Sequence, residues 1–220
     1  MKIDTSRREL MQVYRRLYTH FGDLDWWPGE TPLEISVGAI LTQNTAWTNV
    51  EKAIGQLKQA RALSVVALGR MSHRRLARLI KSSGYFNVKA KRLKNFISFV
   101  EGRYRGSLTK LLRQRSHRLR AELLSVNGIG PETADSIVLY AAEKPIFVID
   151  AYTKRIFSRH GVLPFEKSYD DFQTLFTKHL PSDVPLYNQY HAMFVKTGNQ
   201  FCRSKPRCDV CPLNGWRGVP

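Results

Sequence analysis

Apolar residues recur at helical spacing along nearly the whole chain, and nowhere do they alternate over a run long enough for a strand. Segments 6–21, 34–54, 57–68, 73–82, 89–104, 117–125, 131–142, 150–159, 168–179 and 184–199 all carry the pattern. Turn-forming residues fall between them, among them Trp27-Pro28-Gly29, Ser82-Ser83-Gly84, Gly106, Asn127-Gly128, Lys144-Pro145 and Pro181. An all-α fold is predicted. Its exception is 143–149, where Pro145-Ile146-Phe147-Val148-Ile149 reads as a short extended connection. With 220 residues, 43% of them hydrophobic, the chain can bury a sizeable core, which argues against disorder. The longest apolar run is six residues, Ile137 to Ala142, too short for a membrane helix. The first nine residues lack the apolar stretch of a secretory signal, and a cytoplasmic location is expected.

Charge narrows the partner class. Lys+Arg 35 against Asp+Glu 18 gives +17, and the excess is concentrated: Met71 to Arg120 holds fifteen Lys/Arg against Glu101 alone. Leu76, Leu79, Ile80, Phe86, Leu93, Phe96, Ile97 and Phe99 are interleaved with these charges, so they belong to amphipathic helices. Some will only solvate a helix face. A one-signed field this dense is nevertheless what attracts phosphates, and nucleic acid is the expected partner.

The segment Leu123 to Leu139 is the most informative. A helix ends near Val126, Gly128 and Gly130 flank Ile129, and Pro131 opens a second helix. The glycines let backbone approach a partner, Ile129 can plug the turn into the core, and amides at the new helix start point toward negative charge. A glycine at a helix C-cap also occurs in ordinary connections.

Further on lies Phe147-Val148-Ile149-Asp150-Ala151-Tyr152-Thr153, and upstream lie Gly38-Ala39-Ile40-Leu41-Thr42-Gln43-Asn44-Thr45 and Ser83-Gly84-Tyr85-Phe86-Asn87-Val88-Lys89-Ala90. With the hairpin, this order resembles the helix-hairpin-helix (HhH-GPD) DNA glycosylases of the endonuclease III superfamily, over roughly residues 20–212. The resemblance implies a two-lobed all-α fold with an interdomain cleft. Residues 29–143 would form the lobe with the hairpin; 1–28 and 144–220 would form the other, carrying Asp150 and the cysteine loop. It also implies a base-excision repair enzyme that binds duplex DNA as a monomer and flips one damaged nucleotide. Gly128, Ile129, Gly130 and Thr133 would anchor phosphates, and Gln43 would fill the gap in the stack.

Breaking the bond between base and sugar builds positive charge on the sugar, and a carboxylate can stabilise it and help activate water. Asp150 matches the family position for that role, and it would also cap the helix that follows. In bifunctional relatives a lysine two residues past the second hairpin glycine forms a Schiff base with the sugar. That position here is Glu132. Glu132 either assists at the pocket or simply favours the helix start. The implied enzyme is monofunctional, unless Lys144 or Lys154 substitutes.

Asp25-Trp26-Trp27-Pro28 followed by Gln43 and Trp47 is similar to the 3-methyladenine DNA glycosylase III branch, whose aromatic residues at the positions of Trp27 and Trp47 stack on the flipped base. Trp26, Trp27 and Trp47 are thus the expected base pocket, although paired tryptophans also occur as plain core. Electron-rich indoles suit a cationic alkylated purine. Cys202, Cys208 and Cys211 fall where the superfamily places a [4Fe–4S] cluster. The first interval is one residue short, and Arg217 occupies the fourth cysteine's place. A cluster with a non-cysteine fourth ligand, a zinc ion, and an empty loop all stay open. The six histidines (His20, His73, His117, His160, His179, His191) show no ligand spacing with acids. The rival readings are an oxidised-pyrimidine glycosylase with lyase activity, against which Glu132 speaks, a mismatch glycosylase, and a structural DNA-binding protein.

Overall fold

The computed structural model describes residues 5–27 and 29–218. Among them the chain forms twelve α-helices and no strand: α1 (Arg7–Phe21), α2 (Pro32–Leu41), α3 (Trp47–Gln59), α4 (Val65–Arg70), α5 (His73–Leu79), α6 (Phe86–Tyr104), α7 (Leu108–Leu112), α8 (Ser116–Leu124), α9 (Pro131–Ser136), α10 (Ala151–Arg159), α11 (Tyr169–His179) and α12 (Val184–Gln200). No helix is long and apolar enough to cross a membrane. Two compact units result, one comprising Pro28–Lys144 and the other Met1–Trp27 with Pro145–Pro220.

Serine and threonine caps set many of the helix starts. Thr31, Ser64, Ser72, Ser107 and Ser168 each accept from an amide in the first turn, satisfying a donor the helix cannot. In the Pro28–Lys144 unit, α6 is the spine against which α2, α4 and α5 pack. Ile40, Leu41, Leu93, Phe96, Ile97, Leu123 and Ile137 fill its interior. The other unit has an aromatic core. Phe147 stacks on Phe176 with centroids 4.0 Å apart, while Tyr187 and Tyr190 meet Phe147 edge-on at 5.1 and 5.7 Å. Offset and edge-on pairs are the arrangements ring quadrupoles favour.

Three expected helices are corrected, and one unexpected helix appears. The segment 34–54 is not one helix: it breaks between Leu41 and Trp47. There Thr42 donates its hydroxyl to Gly38 O (2.6 Å) and Asn44 adopts φ 53°, a conformation asparagine tolerates better than most residues. The segment 57–68 also splits, because Arg61 turns the chain at φ 50° and a new helix starts behind Ser64. α7 lies between the expected segments, too short for a periodic pattern to reveal. The segment 131–142 is α-helical only to Ser136, then widens into a π turn over Ile137–Ala141. The apolar stretch before Asp150 is neither helix nor strand, and α11 fixes its backbone: Gln173 Nε2 donates to Phe147 O (2.7 Å), and Ile149 N–H donates to the Tyr169 hydroxyl (3.2 Å).

Candidate functional site

Asp150 caps α10. Its Oδ1 accepts from the Thr153 backbone N–H and from Thr153 Oγ1, both at 2.7 Å. Its Oδ2 lies 3.6 Å from His191 Nε2 on α12, and both residues are buried. Burial alone would raise the carboxyl pKa. The facing imidazole and the two Thr153 hydrogen bonds outweigh it and hold the group below the usual carboxylate range. Asp150 is therefore ionised at neutral pH, with one oxygen fixed by Thr153 and the other turned toward His191. The expectation that the histidines stand apart from the acids is corrected at His191. Forty-one positions separate the two residues, so only tertiary packing of α10 on α12 brings them together.

The hairpin runs from α8 to α9. Ile129 is buried, and its N–H donates to Val126 O at 3.0 Å, which closes the turn. Gly128 sits at φ 97°, and a Cβ there would come within 2.3 Å of Arg92 Cγ. Both conformation and space therefore demand glycine. Gly130 has an ordinary φ of −93° with open space around it, so nothing within the chain requires it. No side chain caps the start of α9, where Pro131 and the exposed Glu132 form the first turn. Gln43 reaches the hairpin: its Nε2 donates to Gly128 O (3.1 Å) and Thr133 Oγ1 (2.8 Å), and its Oε1 accepts from Arg92 Nη1. Gln43, Gly128 and Thr133 are thus brought together. Arg92, which stands in the sequence as one basic residue among fifteen, joins them.

The tryptophans occupy both units. Trp26 and Trp27 are half-buried and meet edge to face, with centroids 6.5 Å apart. Their segment is pinned by Gln189, which accepts from Leu24 N–H and donates to Gly22 O. Pro28 of the same motif lies outside the described residues. Trp47 opens α3, donates Nε1–H to Glu51 Oε1 (2.9 Å), and lies against Gly38, where a Cβ would approach its ring to 3.3 Å.

Residues 37–182 match the family model described as the HhH-GPD superfamily base excision DNA repair protein. The chain belongs to this superfamily. As a member of this DNA glycosylase family, it acts on the N-glycosidic bond. A candidate DNA repair glycosylase of Methanocaldococcus jannaschii is 46% identical over 206 residues, covering 93% of each chain. Endonuclease III of Thermotoga maritima is 26% identical over 183 residues, covering 83% of this chain and 80% of its own. Among solved structures, the H. pylori 3-methyladenine DNA glycosylase (MagIII) bound to 1,N6-ethenoadenine superposes with a TM-score of 0.73. It is 26% identical, and the match covers 88% of this chain and 95% of that one. A non-covalent endonuclease III–DNA complex gives 0.81 at 19% identity, covering 94% and 93%, a likeness of fold alone.

In this glycosylase the cysteine loop is held by arginines. Arg155 Nε donates to Cys202 O (2.6 Å), and Arg159 Nη1 donates to Cys202 Sγ (3.3 Å) and Arg203 O (2.6 Å). Cys211 Sγ accepts from Leu213 N–H, and burial, reinforced by the neighbouring thiols, pushes the Cys211 thiol up. Arg217, in the fourth cysteine's place, pairs with Glu9 at 3.1 Å. Among the described residues no group of three or more His, Cys, Asp or Glu side chains is disposed to hold a metal ion. The three cysteines have no fourth cysteine to complete a set: Arg217 stands at that place in the sequence and pairs with Glu9, while Arg159 donates to Cys202 Sγ.

Four of the glycosylase's lysines are committed to backbone carbonyls. Lys144 Nζ donates to Leu112 O (2.6 Å), and Lys154 Nζ donates to Lys167 O (2.8 Å) beneath the rings of Phe165 and Phe172. Lys94 caps the end of α4 through Leu68 O and Met71 O, both at 3.0 Å. Lys89 is buried on Leu41 O (2.8 Å) and Ser83 O (2.6 Å), and burial with the nearby Arg92 charge lowers it to about 8. Part of the central basic cluster therefore holds the fold together, while Arg74, Arg75, Arg78, Lys81 and Lys91 remain exposed.

Proposed function

We propose that this glycosylase is monofunctional and removes an alkylated purine such as 3-methyladenine from duplex DNA, hydrolysing the bond with Asp150. The observation that carries the reading is the buried, ionised carboxylate of Asp150, with Glu132 in place of a hairpin lysine. Alkylation puts a positive charge on the purine. When the C1′–N bond breaks, its electron pair moves to the base, which leaves neutral, while the sugar becomes cationic. Asp150 Oδ2, the oxygen not engaged by Thr153, stabilises that cation and takes a proton from the water that adds to C1′. Glu132 cannot form an imine, so the product is an intact strand with an abasic site. At the hairpin turn it complements the positive end of α9.

Binding follows the same division of labour. Gly128, Ile129, Gly130 and Thr133 present backbone to the phosphates, Gln43 fills the vacated stack, and Trp26, Trp27 and Trp47 offer indole faces to the cationic base. Likeness to the 3-methyladenine enzyme, over 95% of that chain, supports the choice of base. No step is routed through Cys202, Cys208 or Cys211.

The test is base release, read by chromatography, from duplexes carrying 3-methyladenine, thymine glycol or a T·G mismatch. Release of the alkylated purine at least about tenfold faster than the other two is expected. Preference for thymine glycol or the mismatch would overturn the choice of base.

A further inference from the structure

We infer that Arg92 is a positioning residue for base extrusion: it holds Gln43 on the hairpin, so that the gap-filling side chain and the phosphate-binding turn meet DNA as one body. This rests on Gln43 acting as the gap filler. Every polar atom of the Gln43 amide is already engaged within its own unit, with Nε2 on Gly128 O and Thr133 Oγ1 and Oε1 on Arg92. A glutamine free to swing would pay rotamer entropy on entering the stack; this one is ordered beforehand.

Three further contacts serve the same end. The methylene stem of Arg92 lies against Gly128, so one side chain braces the turn and orients the amide. One helical turn earlier on α6, Lys89 ties down Leu41 O, immediately before the loop that carries Gln43. At the far side of that loop Thr45 Oγ1 donates to Ser83 O at 2.7 Å, the carbonyl that Lys89 also holds. The loop is thus fixed at both flanks by α6 and its preceding turn, and its side chain is fixed by Arg92.

The experiment is a double-mutant cycle with Gln43→Ala and Arg92→Met in the full chain. Methionine keeps the stem that packs on Gly128 and removes the guanidinium. Affinity is measured for a duplex containing a tetrahydrofuran abasic analogue and for the same duplex undamaged. Neither duplex carries an excisable base, so a wrong assignment of base or chemistry leaves the result readable. Arg92→Met is expected to weaken the abasic-analogue complex about tenfold more than the undamaged one, and the double variant to bind as Gln43→Ala alone does, within about twofold. Thermal unfolding of Arg92→Met should match the parent. Penalties that multiply in the double variant, equal weakening of both duplexes, or no effect of Arg92→Met would each overturn the inference.

Discussion

Asp150→Asn is expected to slow base release by about a thousandfold while leaving affinity for an abasic-analogue duplex within about threefold. Asparagine caps a helix as well as aspartate does, so the Thr153 contacts and the start of α10 persist. What is lost is the negative charge that faces the developing cation. The loss corresponds to about 4 kcal/mol of transition-state stabilisation. Single-turnover release on an alkylated duplex, beside a binding titration, reads both quantities. A drop in both would mean a folding role; a change in neither would leave a DNA-binding protein that does no chemistry at Asp150. The pH behaviour follows from the same contacts. Because the folded-state pKa of Asp150 is depressed, its contributions to rate and to stability are both fully present above the ordinary carboxylate pKa. Both are lost as the pH falls through the depressed value, so the rate should be flat near neutrality on its acid side.

Phe147→Ala should be the most destabilising single change in the unit that carries Asp150. The ring is fully buried, stacked on Phe176 and edged by Tyr187 and Tyr190. Truncation opens a cavity that three aromatic neighbours, all with few rotamers, fill poorly, and about 3–5 kcal/mol is expected. In a chain of this length that is a fall in Tm of about 6–20 °C. Because Phe147 O anchors Gln173 three residues before Asp150, the variant should also lose excision activity well below its melting temperature. A loss under about 1 kcal/mol by denaturant titration would show that the aromatic cluster does not hold this segment.

Much of this was legible in residues close together in sequence. The helical period shows the fold class, Gly128-Ile129-Gly130-Pro131 marks the turn, and Asp150 ahead of Ala151-Tyr152-Thr153 reads correctly as a cap. Two kinds of feature escape a local reading. The break after Leu41 depends on Thr42 and Asn44 competing with the helix backbone, and a clean apolar period masks it. His191 beside Asp150, Arg92 on Gln43 and Lys89 beneath Leu41 each join residues more than forty positions apart, and no spacing rule encodes such pairs. The cysteine loop was legible in part: its spacing resembles a ligand set, while the contacts of Arg159 with Cys202 and of Arg217 with Glu9 are tertiary facts.

The central claim, hydrolysis by Asp150 without a lysine nucleophile, is tested most directly on a 3-methyladenine duplex incubated with the enzyme, with and without sodium borohydride, and then split for hot alkali. Strand breaks appearing only after alkali, with no protein–DNA adduct trapped by borohydride, are predicted. Breaks without alkali, or a trapped adduct, would mean that a lysine such as Lys89, Lys144 or Lys154 reaches the sugar, and would contradict the account.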